Sequence, residues 1–361
     1  MPKILFIAAH RLNRSPSQRF RFEQYFSYLN ANGFECFLSP LLSEKDDRTF
    51  YSEGNFINKF IVVFKSLIKR IRDVQKANDY DLIFIQREAF MTGTTFFEKK
   101  LKKTGKKVIF DFDDAIWLPN ISEVNKKFEW AKTPFKTSIL ISLSDLVIAG
   151  NQYLADYAKK YSQNVVVIPT TIDTEYHKRT KPESEKDTIT IGWTGSHTTI
   201  QYFELALPFL QEIKRKYGSK ISIKVIGDDT FENKELGIKG MAWNKEREIT
   251  ELSSFDIGIM PLPDDEWVKG KCGLKALQYM ALEIPCVISS AGVNGEIISE
   301  GINGYLAKTT EEWIEKISLL IEDHKLRRLI GTQARKTVQE RYSVNSQKER
   351  YLELIRNALK K

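Results

Sequence analysis

Two stretches of the chain combine residue types that could do chemistry on a phosphate. Residues 269–298 read KGKCGLKALQYMALEIPCVISSAGVNGEII. A loop carrying Lys269, Gly270, Lys271, Cys272 and Gly273 leads into an apolar helix that begins at Leu274 and contains Gln278. Pro285 then opens a buried strand, and a second glycine loop (Gly292, Gly295) ends in Glu296. Loop, helix, strand and loop in this order present backbone N–H groups at a helix start, as a doubly wound sheet does to a phosphate. The stretch Gly195-Ser196-His197-Thr198-Thr199 is small and hydroxyl-rich and also enters a helix, so it offers donors of the same kind. Lys269 and Lys271 bring charge to the loop, Lys271 being the expected cation unless both are solvated loop lysines, and His197 either bonds phosphate or is an ordinary helix-start residue. Cys272 is expected to be a small packing residue, because no base lies near it in sequence.

Two further stretches lie in the first half. Residues 108–117, VIFDFDDAIW, end a strand in Asp111, Asp113 and Asp114. Carboxylates at that edge can hold hydroxyls or accept a proton, form an Asp-x-Asp metal site, or cap the next helix. Residues 10–22 set Arg11, Arg14, Arg19 and Arg21 around Ser15, Pro16 and Ser17. Arginines suit an anionic ligand; the alternative is a solvated basic helix start. Arg87 and Glu88, at the end of another strand, are weaker candidates.

These residues need a scaffold, and the hydrophobic pattern supplies one. Apolar runs at 4–9, 35–38, 82–86, 108–111, 146–149 and 165–168 read as buried parallel strands, separated by amphipathic stretches such as 19–32. Residues 169–187 are polar and proline-bearing and read as a linker. Strands then restart at 189–193, 222–226, 257–261 and 285–289, with helices at 202–217, 274–282 and 311–323. Strand–helix alternation on both sides of a linker predicts an α/β protein with two doubly wound, Rossmann-like domains. They span 1–168 and 188–340. Residues 341–361 form a terminal helix able to cross back to the first domain.

The chain has 361 residues, ample for two domains. Its three cysteines fit neither a zinc site nor a disulfide framework, so a cytoplasmic location is expected. The N-terminus does not read as a signal peptide, and no stretch is long and apolar enough to span a bilayer. The formal net charge is +8, and most of the excess falls in residues 1–175, which calls for an anionic partner. Nucleic acid is disfavoured, because no interleaved aromatic-basic motif is present. An anionic membrane surface is the other candidate, with the protein peripheral on its inner face. Residues 59–72, KFIVVFKSLIKRIR, combine an apolar face with five Lys/Arg and no acid. Such a helix either lies on a bilayer or turns its apolar face to the core.

Several motifs, in order, resemble the family 4 (group 1) retaining glycosyltransferases: VVVIPTTIDT at 165–174, KVIGD at 224–228, LKALQYMALEIPCVIS at 274–289 with Gly292 and Gly295-Glu296-Ile297-Ile298, and GINGYL at 301–306. The resemblance covers roughly residues 140–355. It implies a glycosyltransferase B fold, two Rossmann-like domains facing a cleft, and transfer of a sugar from a nucleotide-sugar donor to a hydroxyl of a glycan or lipid-linked acceptor. Bacterial surface-polysaccharide assembly is the implied setting. The donor would be a substrate, and no metal or other cofactor is expected. Retention in the family is thought to need no enzyme nucleophile, the departing phosphate helping to deprotonate the acceptor. Together, the residue chemistry and the resemblance lead us to expect a donor site of Gly195, Ser196, His197, Met241, Lys271, Cys272, Gly273, Leu274, Gln278 and Glu296. Asp113 and Asp114 lie near the transferred sugar as catalytic carboxylates, and Arg14, Ser17, Arg19 and Arg87 border the acceptor. Two departures stand out. The family's paired glutamates fall on Gly270 and Gln278, and its basic pair after the first C-terminal strand is missing, which leaves Lys271 to replace it. Glu266 is out of register with the first glutamate. A non-catalytic glycosyltransferase-like protein that binds a glycan or a partner is the alternative.

Overall fold

The computed structural model describes residues 1–52, 54–118, 135–179 and 188–360. The chain divides into two units, Met1–Thr170 with Gln347–Lys361, and Thr171–Ser346.

The first unit is built on six parallel strands, β1 (Lys3–Ala8), β2 (Glu35–Pro40), β3 (Leu82–Gln86), β4 (Lys107–Phe112), β5 (Leu146–Ala149) and β6 (Val165–Val167), in the order β2-β1-β3-β4-β5-β6. β3 is buried at every position, as helices on both faces of a parallel sheet require. Strand order reverses between β1 and β3, so the loops after these two strands, starting at His10 and Arg87, open at the switch point of the sheet.

The expected helix over 19–32 is broken. Pro16–Arg19 is one helical turn, Glu23–Tyr25 a 3₁₀ turn and Phe26–Ala31 a short helix. The backbone leaves helical geometry at Phe22 (φ −138°), where Arg21 and Phe22 both turn inward. Phe22 stacks on Phe6, and the Arg21 guanidinium grips Asp111 through Nη2 at 2.6 Å and the Ile168 carbonyl through Nη1 at 2.5 Å. Both members of that ion pair are buried. The last helix, Val344–Lys360, is part of this unit from Gln347 onward. Its Tyr351 stacks flat on Tyr25 with ring centroids 4.2 Å apart, and Tyr28 donates to Glu349 Oε1.

The second unit has five parallel strands, β7 (Ile189–Thr194), β8 (Ile221–Ile226), β11 (Ile257–Met260), β12 (Cys286–Ser289) and β13 (Tyr305–Ala307), in the order β13-β12-β11-β7-β8. β9 (Glu232–Asn233) and β10 (Ile238–Lys239) form a separate antiparallel hairpin. Neither that hairpin nor β13 was expected, since runs of two or three residues carry no periodicity. The helix expected over 202–217 is two, Ile200–Glu204 and Leu207–Tyr217. Pro208 lacks the N–H that a continuous helix would need and sits instead in the first turn of the second one.

Residues 171–179, expected as linker, are built into the second unit. Thr171, Ile172, Thr174 and His177 are buried. Ile172 N donates to the Tyr342 carbonyl at 2.8 Å, and Arg335 binds the carbonyls of Thr174, His177 and Ala281. Residues 180–187 of the expected linker lie outside the described residues. Among the described residues, no helix is long and apolar enough to cross a membrane.

Candidate functional site

In the second unit strand order reverses between β7 and β11, so the loops that leave their carboxyl ends define the crevice where such sheets take ligands. These are the 195–199 and 261–273 loops, the two segments whose residue types suit a phosphate. Tyr279 ties them together from below. Its buried hydroxyl accepts from Thr194 N at 3.0 Å and donates to the Ile259 carbonyl at 3.3 Å.

The 195–199 loop is backed by the end of β8. Gly195 N donates to the Ile226 carbonyl at 2.8 Å. A Cβ on Gly195 would lie 2.1 Å from the Trp193 ring, and one on Gly227 (φ +117°) would lie 2.2 Å from the Gly195 carbonyl oxygen. Two glycines are therefore required for the loop to settle against β8. Gly227→Ala is expected to cost about 1–3 kcal/mol and to displace the Gly195 turn. A thermal midpoint equal to wild type would contradict this packing argument.

Within the loop, Thr199 Oγ1 accepts from Ser196 N at 2.9 Å, which closes the turn. His197 is exposed, and its Nδ1 sits 2.9 Å from Asp228 Oδ2, which favours the tautomer protonated at Nδ1. Asp228 is buried. Burial pushes its carboxyl up, but hydrogen bonds from Thr230 and His197 outweigh that and hold it below the usual carboxylate range. Asp228 belongs to the KVIGD segment, yet its part in orienting His197 was not legible there.

The second loop starts with a one-turn helix, Glu266–Lys269, capped by Asp265. Lys271 extends from it, and its ammonium lies 5.6 Å from the ring centroid of Tyr202, on the helix that follows the 195–199 loop, and 5.7 Å from that of Trp267. The charge is thus held between the two loops. Lys269 pairs instead with Glu266 Oε1 at 2.5 Å on the exposed side. Gly273 (φ +68°) opens the Leu274–Ala281 helix, and Cys272 Sγ faces the Gly270 carbonyl at 3.8 Å. The loop after β12 joins them. Gly292 (φ +55°) has no room for a Cβ against the Val268 carbonyl, at 2.7 Å. Glu296 is exposed beyond it, and its carbonyl accepts from Tyr342.

Gln278 is buried, and its amide nitrogen donates to Glu248 Oε1 at 3.3 Å and faces His177 Nε2 at 3.5 Å. Glu248, also buried, accepts in addition from Trp243 Nε1 at 3.1 Å and Tyr176 OH at 3.3 Å. The position where the resemblance expects an acid is an amide that grips an acid thirty residues earlier (278 − 248). Glu248 sits in no recognisable motif, so only the packing shows it. Met241 is set beside β8, its N–H donating to the Val225 carbonyl at 3.1 Å.

In the first unit Asp113 and Asp114 follow β4, and Arg87 follows β3. Arg87 Nε donates to Asp113 Oδ1 at 2.8 Å and Nη2 to Asp114 Oδ2. Arg87 has φ +61°, a left-handed backbone that costs a non-glycine residue roughly 1–2 kcal/mol. Burial works against its charge, but the two carboxylates outweigh it and raise its pKa. The Asp113 carboxyl is pushed up by burial, and the charge of Asp114 adds to this against the pull of Arg87. In the 10–22 loop, Asp47 organises the bases: Arg14 Nε donates to it at 2.7 Å and Arg11 Nη1 at 3.1 Å, with His10 Nδ1 at 3.4 Å. Ser17 shares a hydrogen bond with Ser15, and its carbonyl accepts from Gln86 at 3.3 Å, which links the β1 and β3 loops. Arg19 is mostly buried, its guanidinium 4.9 Å from the Phe20 ring centroid. Among the described residues, no group of three or more His, Cys, Asp or Glu is placed to hold a metal ion.

Residues 175–337 match the family model of group 1 glycosyl transferases. None of the curated proteins matches the chain at a significant level. Among solved structures, it is similar to a sucrose-phosphate synthase from Thermosynechococcus elongatus at 13% identity and a TM-score of 0.70, over 99% of each chain. It is similar to a glycosyltransferase from Rickettsia africae ESF-5 at 16% identity and a TM-score of 0.69, over 99% of each chain. HepE of Anabaena, in complex with UDP-glucose, aligns at 15% identity and a TM-score of 0.65, over 98% of this chain and 99% of that one. At such identities the likeness is one of fold. The chain carries a group 1 glycosyl transferase domain over residues 175–337, on the glycosyltransferase B fold.

Proposed function

We propose that the protein is a retaining glycosyltransferase that moves a sugar from a nucleotide-sugar donor to a hydroxyl of a glycan or lipid-linked acceptor, in bacterial surface-polysaccharide assembly. The observation that carries the reading is the convergence of the loops after β7, β11 and β12 at the switch point of the second unit, with Lys271 held between two of them. As the bond from the anomeric carbon to phosphate breaks, negative charge grows on the departing diphosphate. Donors already oriented toward it lower the barrier because they need no reorganisation. In this reading the N–H groups of 195–199, the start of the Leu274–Ala281 helix and the Lys271 ammonium take that charge. The phosphate oxygen released then accepts the acceptor's proton on the same face, and no enzyme nucleophile is used. Asp113 and Asp114, splayed around Arg87, serve as sugar-hydroxyl acceptors in the first unit, and Arg14, Ser17 and Arg19 border the acceptor. No metal or cofactor is given a role. The buried Gln278–Glu248 contact and the missing acid at Gly270 favour one second reading, a protein that keeps nucleotide binding without turnover.

The three cysteines give the test. Burial pushes the thiols of Cys36 and Cys286 up to about 12, so only about one part in 10⁴ is thiolate at pH 8. A disulfide reagent should therefore label Cys272 first in the native protein. Saturating UDP, GDP or ADP should slow that labelling at least roughly fivefold, because the diphosphate would cover the 269–273 loop. The reading fails if none of these nucleotides protects Cys272 and no nucleotide sugar is hydrolysed or transferred. Protection without turnover supports the second reading.

A further inference from the structure

The helix Phe56–Gln75 faces the wrong way for a helix in water. A surface helix ordinarily turns its apolar stripe to the core. This one buries Val62, Ser66 and Arg70, and leaves Phe56, Ile57, Phe60, Ile61, Phe64 and Ile71 between 41% and 79% exposed. At about 100° per residue the six exposed side chains fall within about 140° of arc, roughly opposite the buried three.

The orientation is locked by polar contacts. Arg70 donates through Nε to the Ala89 carbonyl at 2.5 Å, through Nη2 to the Ala8 carbonyl at 2.8 Å, and through Nη1 to the Ser39 carbonyl at 3.1 Å and Asp73 Oδ2 at 2.7 Å. Rolling the helix to bury the stripe would strip a buried guanidinium of these partners, which is costlier than leaving the apolar side chains out. The apolar face therefore stays outward, as a contiguous patch of the kind that marks an interaction surface.

Charge identifies what covers it. No Asp or Glu occurs from Phe56 to Arg72. The helix's one acid, Asp73, is engaged by Arg70 and by Ser39 Oγ at 2.9 Å. Lys65, Lys69 and Arg72 fall along one border of the stripe, where Lys65 pairs with Asp46 Oδ1 at 3.1 Å. A stripe of phenylalanine and isoleucine that itself carries no acid and is edged by three cations, one of them paired, fits the boundary between headgroups and acyl chains of an anionic bilayer. A second copy of this chain would set the same cationic border against itself. We infer that the Phe56–Gln75 helix is a docking surface for an anionic lipid bilayer, lying in its interface with Phe56, Phe60 and Phe64 inserted. The inference concerns the first unit alone and holds whether or not the proposed sugar transfer does.

Co-sedimentation with phosphatidylcholine vesicles, with and without phosphatidylglycerol, tests it. The full chain should pellet with the phosphatidylglycerol-containing vesicles and far less with phosphatidylcholine alone. Phe60→Glu/Phe64→Glu should weaken that binding by at least roughly tenfold. Its circular dichroism and thermal midpoint should match wild type, since both side chains already face solvent. The inference is overturned if wild type stays in the supernatant with both vesicles, or if the double variant binds as wild type does. It is also overturned if wild type is a dimer that the double variant dissociates while vesicles capture neither, which would make the stripe a self-association surface.

Discussion

Arg21→Met is expected to destabilise the protein by about 3–5 kcal/mol, the largest effect of any single change considered. Arg21 and Asp111 are both buried, and three of the guanidinium's bonds go to that carboxylate. Removing the arginine leaves an unpaired charge in a medium that solvates it poorly, and frees the Ile168 carbonyl as well. For a unit of this size the loss corresponds to a drop of roughly 6–20 °C in the midpoint of its thermal transition, readable by circular dichroism. Arg21→Met/Asp111→Leu should recover most of it, because replacing both ends of a buried pair by apolar side chains is often close to neutral. If Arg21→Met melts within a degree or two of wild type, the pair is not the anchor of the first unit.

Lys271→Ala is expected to weaken binding of UDP, or of whichever nucleoside diphosphate protects Cys272, by about 10–100-fold. That is the usual range for one charge-assisted hydrogen bond, about 1.5–3 kcal/mol. The rings of Tyr202 and Trp267 hold the ammonium in place, so little ordering cost falls on the ligand. Lys269→Ala, two residues away, should change affinity less than about threefold, because Lys269 is already paired with exposed Glu266. Titration calorimetry on the two variants separates a specific cation from a general loss of positive charge. Equal affinities for Lys271→Ala and wild type would remove Lys271 from the site.

The scaffold was legible because its signals are local. Apolar runs at 82–86 and 146–149 coincide with β3 and β5, and most other strands end within a residue or two of the expected limits. A strand buried on both faces must be a continuous apolar run wherever it lies in the fold. The turn that opens the Leu274–Ala281 helix was legible for the same reason, since a glycine-bearing turn before an apolar helix is written in consecutive residues. Where a helix breaks was less legible: the turn at Phe22 is set by partners of Arg21 far along the chain, and no periodicity in 19–32 records them.

By itself, then, the sequence determined two alternating α/β halves and the glycine-bearing turns that lead into apolar helices. The tertiary structure decided where charged and apolar side chains point and what they pair with. Arg21, one of four arginines in a basic loop, became a buried strut because Asp111 lies 90 positions away in sequence and adjacent in space. The last helix joined the first unit through partners such as Tyr25 and Tyr28, more than 300 residues earlier. The Phe56–Gln75 helix, readable either way from its composition, turned its apolar face outward because Arg70 found its acceptors on β1, on β2 and in the loop after β3. A hydrophobic pattern records that a face is apolar. Which way that face points depends on long-range polar pairing, and pairing partners leave no local trace in the chain.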